Sequence, residues 1–147
     1  MKKIITAVGS LKNRPEQQLF DTFYQRLSPA PIIHEILPKA SSTAEQEGQL
    51  ILNFLKEDDY VIVLDEKGKQ LSTREFAAHL DRLQGEVRQC VFVIGGSAGL
   101  DHKIKQRARF SLSLSLMTWP HLLARALLIE QLYRCQQISN KHPYHRD

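Results

Sequence analysis

The chain has 147 residues, 42% apolar and 24% charged, with a formal net charge of +4, the size and balance of one globular domain with a hydrophobic core. No run approaches the ~18–20 apolar residues of a membrane span, and the apolar stretch from Ile4 to Val8 is too short for the core of a secretory signal. A single domain over 1–147 in a cytoplasmic protein is therefore expected.

In chain order, 3–8 (KIITAV) reads as a first buried strand. A helix is expected near 14–27, then a strand at 32–37 (IIHEIL). A second helix near 43–56 opens on a capping box, either Ser42 with Glu45 or Thr43 with Gln46. A third strand is expected at 60–64 (YVIVL), followed by VLDEKGKQLS at 63–72, which reads as a solvated turn leaving the strand end. Ser72 and Glu75 form a capping box for a helix over 73–83. The run 90–94 (CVFVI) is a fourth strand. It enters VFVIGGSAGLD at 91–101, a glycine turn before a helix at 101–109. A short, weak strand is expected at 111–114. Continuous β-branched runs suit parallel strands buried on both faces. The alternation predicts an α/β domain with a mainly parallel sheet.

The last helix is expected over 119–140, with Thr118 as N-cap and Pro120 in its first turn. Its first half, HLLARALLIEQL, is apolar nearly all round, where a surface helix would show a stripe. Such a helix lies deep in a core or between subunits, and a dimer interface is the reading adopted. Glu130 and Arg134 are spaced as an i,i+4 ion pair. Arg125, in apolar surroundings, needs a partner: a structural carboxylate or a phosphate.

Cys90 and Cys135 sit in apolar stretches and read as small core residues. His79 and His102 fall on helices and read as surface residues. His142 and His145 are three apart, but zinc wants three or four convergent ligands, and no metal site is expected. The glycine turn is G-G-x-x-G, neither a dinucleotide fingerprint nor a phosphate loop. Residues 1–100 hold 12 Lys and Arg against 13 Asp and Glu, and residues 101–147 hold 8 against 3. A basic C-terminal third fits an anionic partner such as RNA, or a surface kept soluble by charge.

LDEKGKQLSTREFA, FVIGGSAGL, SLSLMTWPHLLARALLIEQLYR and the terminal HPYHRD, in this order, resemble the ribosomal RNA large subunit methyltransferase H family, of the SPOUT (α/β-knot) class. The resemblance runs from AVG at 7–9 to the end. It implies a parallel sheet flanked by helices, with a C-terminal trefoil knot, S-adenosylmethionine as cofactor, and a homodimer. The implied reaction is methylation of N3 of a pseudouridine in 23S ribosomal RNA, on the assembled ribosome. By motif, cofactor contacts fall on Leu64, Gly95, Leu114, Ser115, Leu116, Met117, Thr118 and Trp119. Met117 stands where leucine is usual, and Trp119 where an aliphatic residue is commoner. The segment PKASSTAEQEGQ looks short. N3 must shed a proton, so a general base or a nearby positive charge helps, and the tail supplies candidates. His145 and Tyr144 are the expected catalytic groups. Arg125, Arg134, His142 and Arg146 are the expected RNA contacts. A transfer-RNA methyltransferase of the same class, or a silent RNA-binding module, are the rival readings.

Overall fold

The computed structural model describes all 147 residues as one sheet of five strands with helices on both faces. The elements are β1 (Lys2–Val8), α1 (Pro15–Tyr24), β2 (Ile32–Ile36), α2 (Ala44–Leu52), β3 (Tyr60–Gln70), α3 (Thr73–Glu86), β4 (Gln89–Ile94), α4 (His102–Arg107), β5 (Phe110–Ser113) and α5 (His121–Ser139). The strand order is β2-β1-β4-β3-β5 and every pairing is parallel, as expected from the apolar runs.

Strand alternation divides the core. Ile5, Ala7, Ile62, Phe92 and Ile94 face the layer that includes Phe20, Leu80, Leu128 and Ile129 of α1, α3 and α5. Ile4, Val8, Val61, Val63, Val91 and Val93 face Ile51 of α2 and Ile104 of α4. Crossovers that step one way along the sheet carry α1 and α3, and those that step back carry α2 and α4. A single crossover hand requires this split.

Local chemistry sets the boundaries. Thr43, not Ser42, caps α2, and its hydroxyl and the Gln46 side chain exchange hydrogen bonds with the backbone. Ser72 and Glu75 cap α3 in the same way. Thr118 does not cap α5: the N-cap is Pro120, which has no side-chain donor or acceptor. The Thr118 hydroxyl is instead given to Glu66.

The main departure from expectation is β3. The polar stretch after Leu64 is not a free turn. Both Leu64 and Lys69 register with Leu112, and Gln70 registers with Ser113. Residues 65–68 therefore bulge out while the chain rejoins β5. Gly68 makes this possible: a Cβ there would lie 2.6 Å from the Ser111 carbonyl oxygen.

α5 lies against α1 and α3, with Leu122, Ala124, Arg125, Ala126, Leu128, Ile129, Leu132 and Cys135 buried. One chain thus accounts for most of its all-round apolar pattern. Cys90 and Cys135 are buried free thiols, pushed up to about 12 by desolvation. His102 is exposed as expected, but His79 is half-buried against Phe110, with ring centroids 4.6 Å apart. Burial, then Arg82 and Lys69, lowers its pKa.

Candidate active site

The carboxyl ends of β3, β4 and β5 open on a cavity of about 710 Å³. Open parallel sheets place ligands outside the carboxyl ends of their strands, and this volume suits one small molecule. Its walls come from the β3 bulge, the 94–100 turn, the 112–119 loop and the first turn of α5.

Seven of the eight expected cofactor residues line it: Leu64, Gly95, Leu114, Ser115, Met117, Thr118 and Trp119. Leu116 does not, and its side chain is 80% exposed. Ser115 organises the loop. Its Oγ accepts from the Trp119 indole N–H at 2.9 Å and from the Met117 N–H at 3.1 Å. The Ser113 hydroxyl donates to the Ser115 carbonyl at 2.7 Å.

The sequence reading missed Asp65, Glu66 and Lys67 on the bulge, Lys105 of α4, and Pro120, His121 and Ala124 at the start of α5, all of which line the cavity. The signal was present in the first three, which leave a strand end, but their polarity resembled a solvated turn. Burial acts upward on Asp65, but the Lys67 N–H and the Lys105 ammonium, 3.1 Å away, outweigh it and hold the carboxyl below its usual range. His121 is pushed down, first by burial and then by Arg125 and Arg14.

Behind the glycine turn, Gly96 backs onto Val8 and Glu47. A Cβ there would meet Val8 at 2.7 Å and the Glu47 carboxylate at 3.1 Å. Close approach, rather than turn geometry, demands glycine here. Burial raises the Glu47 pKa.

The tail is ordered, although chain ends usually fray. The Tyr144 hydroxyl donates to Glu130 at 3.1 Å, and its ring lies 4.7 Å from the Arg134 guanidinium. Arg134 pairs with Glu130 as the spacing implied. His145 Nδ1 is 3.3 Å from an Arg134 nitrogen, and its Nε2 is 3.0 Å from Asp147. Asp147 in turn accepts from Arg74 of α3 at 2.7 Å. No tail residue lines the cavity. His142 and Arg146 are exposed.

Arg125 is not available to RNA. It is fully buried, 2.6 Å from the Glu35 carboxylate, and donates to the carbonyls of Val8 at 3.2 Å and Gly9 at 2.9 Å. Of its two readings, the structural ion pair is the one observed. No group of three or more His, Cys, Asp or Glu is placed to hold a metal ion, and no helix is long and apolar enough to cross a membrane.

Residues 1–145 match the family described as "Predicted SPOUT methyltransferase". The ribosomal RNA large subunit methyltransferase H of Paramagnetospirillum magneticum is 42% identical, covering 99% of both chains. That of Gluconacetobacter diazotrophicus is also 42% identical, over 97% of this chain and 95% of the relative. That of Acholeplasma laidlawii is 40% identical, over 99% of this chain and 100% of the relative. Among solved structures, a probable methylase family protein from Haemophilus influenzae Rd KW20 superposes with a TM-score of 0.56 at 12% identity, over 99% of this chain and 70% of that one. That likeness concerns the fold alone.

Proposed function

Because the chain belongs to the SPOUT methyltransferase family, we propose that it methylates large-subunit ribosomal RNA with S-adenosylmethionine as the methyl donor. The observation that carries this reading is the convergence of three strand-end loops on one cavity, in a chain that these relatives match over 99% of its length. The finer target is N3 of a pseudouridine in 23S ribosomal RNA on the assembled ribosome.

The residues present fit the cofactor. Leu64, Ile94, Leu100, Leu112 and Leu114 give apolar walls for a purine, and the backbone of the strand ends supplies partners for its edges. When bound, the cofactor supplies a methyl group already activated on a sulfonium. The chain must then align the attacking nitrogen, exclude water and take up its proton.

His145 is the proposed base. A guanidinium only donates, so the Arg134 contact makes Nδ1 the acceptor and leaves the ring proton on Nε2, facing Asp147. Nδ1 is thus the atom that takes the proton once the Arg134 N–H releases its lone pair, and Asp147 then faces the imidazolium. Burial, then the Glu130 carboxylate, pushes the Tyr144 phenol up, so Tyr144 serves as a hydrogen-bond donor or stacking surface. His142, Arg146 and the open edge of Arg134 are proposed to meet RNA phosphates.

The chain is proposed to act as a homodimer in which each tail meets the partner's cavity. No tail residue lines the cavity of its own chain, and Met117 and Trp119 in the cavity wall, with Leu116 beside them in sequence, stay exposed, an apolar patch that invites cover. A C-terminal trefoil knot is proposed to hold the 114–119 loop against the β3 bulge.

The test is transfer of labelled methyl to purified ribosomes and separated subunits, followed by nucleoside mapping. Label at a single pseudouridine of the large-subunit RNA is expected. Label in transfer RNA alone, or in no RNA, refutes the reading.

A further inference from the structure

We propose that Glu66 and Lys105 read the amino-acid end of the cofactor, Glu66 holding its α-ammonium and Lys105 its α-carboxylate. This rests on the cofactor reading above and adds side-chain recognition to a site otherwise built from backbone and apolar walls.

The cavity has a dry end and a charged end. Ile94 and Leu112 in its wall are each 3% exposed. At the mouth, Glu66 and Lys67 are exposed and the Lys105 side chain is 42% exposed. The ligand is divided in the same way. Its adenine ring is flat and uncharged, and its amino-acid end carries an ammonium and a carboxylate, which need one carboxylate and one cation. Asp65, Glu66, Lys67 and Lys105 are the charged side chains in the cavity wall apart from the titratable His121.

Two polar bridges cross the mouth. Thr118 donates its hydroxyl to Glu66, tying the 114–119 loop to the β3 bulge. Lys105 pairs with Asp65 at 3.1 Å, tying α4 to the same bulge. A neutral hydroxyl is a weaker partner for a carboxylate than an ammonium is, so the incoming α-ammonium displaces Thr118 from Glu66. Lys105 has three N–H donors and uses one on Asp65, leaving others for the α-carboxylate. Asp65 also accepts the Lys67 N–H at 3.1 Å and is largely covered. It is therefore the fixed post that aims Lys105, while Glu66 is free to turn to the ligand.

Calorimetric titration of S-adenosylmethionine, S-adenosylhomocysteine and 5′-methylthioadenosine tests this. The first two share the amino-acid end, and the third lacks it. Glu66→Gln and Lys105→Met should each weaken the first two ligands about tenfold and leave the third within about twofold, with the thermal midpoint unchanged in Glu66→Gln and lowered by only a few degrees in Lys105→Met, where Asp65 loses its partner. Lys105→Arg should restore most of the loss. A variant that keeps wild-type affinity for S-adenosylmethionine overturns the assignment of that residue. Equal weakening of all three ligands overturns the proposal, because the bridges would then only brace the mouth. Failure of the wild-type chain to bind any of the three refutes the cofactor reading instead.

Discussion

Glu35→Gln isolates the internal ion pair that ties α5 to the carboxyl ends of β1 and β2. In the folded chain Arg125 is wholly buried, with Glu35 at 2.6 Å and the Val8 and Gly9 carbonyls as its other acceptors, while its Nε has no partner. Removing one partner of a buried pair strands the other charge, at about 3–5 kcal/mol. Two carbonyl bonds survive the substitution, and the Glu35 side chain is 33% exposed, so water reaches that side of the pair. The expected loss therefore falls below that range, at about 2–3 kcal/mol, or about 5–10 °C in melting temperature for a domain of this size. Urea unfolding at pH 7 with an unchanged m-value measures it. Arg125→Met leaves the Glu35 carboxylate and the Val8 and Gly9 carbonyls without their donor, and should cost at least as much. The pH dependence follows from Glu35. Burial acts upward on its carboxyl, but the Arg125 guanidinium, the Leu11 N–H and Ser10 outweigh it and lower the pKa from 4.5. A folded pKa below the unfolded one gives stability that is full above the unfolded value and drains as pH falls through the folded one. The gap between wild type and Glu35→Gln should therefore be constant near neutrality and close below about pH 4. A loss under about 0.5 kcal/mol at pH 7 would refute the buried-pair argument.

Gly68→Ala should push the bulge off β5, because its Cβ would meet backbone atoms of Ser111 at 2.6 and 2.7 Å. A cost of about 1–3 kcal/mol and weaker cofactor binding are expected in thermal melts and calorimetry. Cys90 and Cys135, buried and pushed up to about 12, should resist a thiol reagent at pH 8 in the folded chain and both react in denaturant, as followed by absorbance. An equal mixture of Gly95→Val and His145→Ala chains, each inactive alone, should recover about a quarter of wild-type methylation after subunit exchange. Half of the dimers are then mixed, and each mixed dimer has one intact site if tails act across the dimer. No recovery is expected if tails act within their own chain.

Regular elements were legible where side chains met the same environment along their length. The β-branched runs at 60–64 and 90–94 are buried on both faces, so the pattern alone marked them to within a residue or two. The continuation of β3 to Gln70 was not legible. Its residues 65–68 are polar like a turn, and the register that recovers the strand comes from Leu112 and Ser113, more than forty residues on. α5 was legible as a helix but ambiguous in its partner, since an all-round apolar pattern does not say which chain covers it. Arg125 shows the same limit. The sequence required a partner for it, but Glu35 is 90 positions away. The glycine turn was legible as a turn at a strand end, with Gly95 tied to a ligand only through the family resemblance, whereas the reason for Gly96, contact with Val8 and Glu47, exists only in the fold.

α5 also separates the tail from the His121 side of the cavity. Its first turn gives His121 and Ala124 to the cavity wall, while Glu130 and Arg134 near its other end hold Tyr144 and His145. The tail is fixed there by a closed path. Thr73 donates to Gln131, Gln131 to Glu130, and Glu130 receives Arg134 and Tyr144, while His145 meets Asp147 and Asp147 meets Arg74 beside Thr73. His121 and Arg134 are thirteen residues apart, about 20 Å along a helix axis. Methyl transfer needs reacting atoms within about 3–3.5 Å. A helix pinned at the start of its second turn by Arg125 and Glu35 does not shorten, so a tail held at Arg134 stays about 20 Å from the His121 side of its own cavity. For His145 to meet a cofactor at that side of the cavity, the network opens or, as proposed above, a second chain brings its own tail to the mouth. The second route leaves the network in place except for the Arg134 contact to His145 Nδ1, which opens as that nitrogen takes the proton.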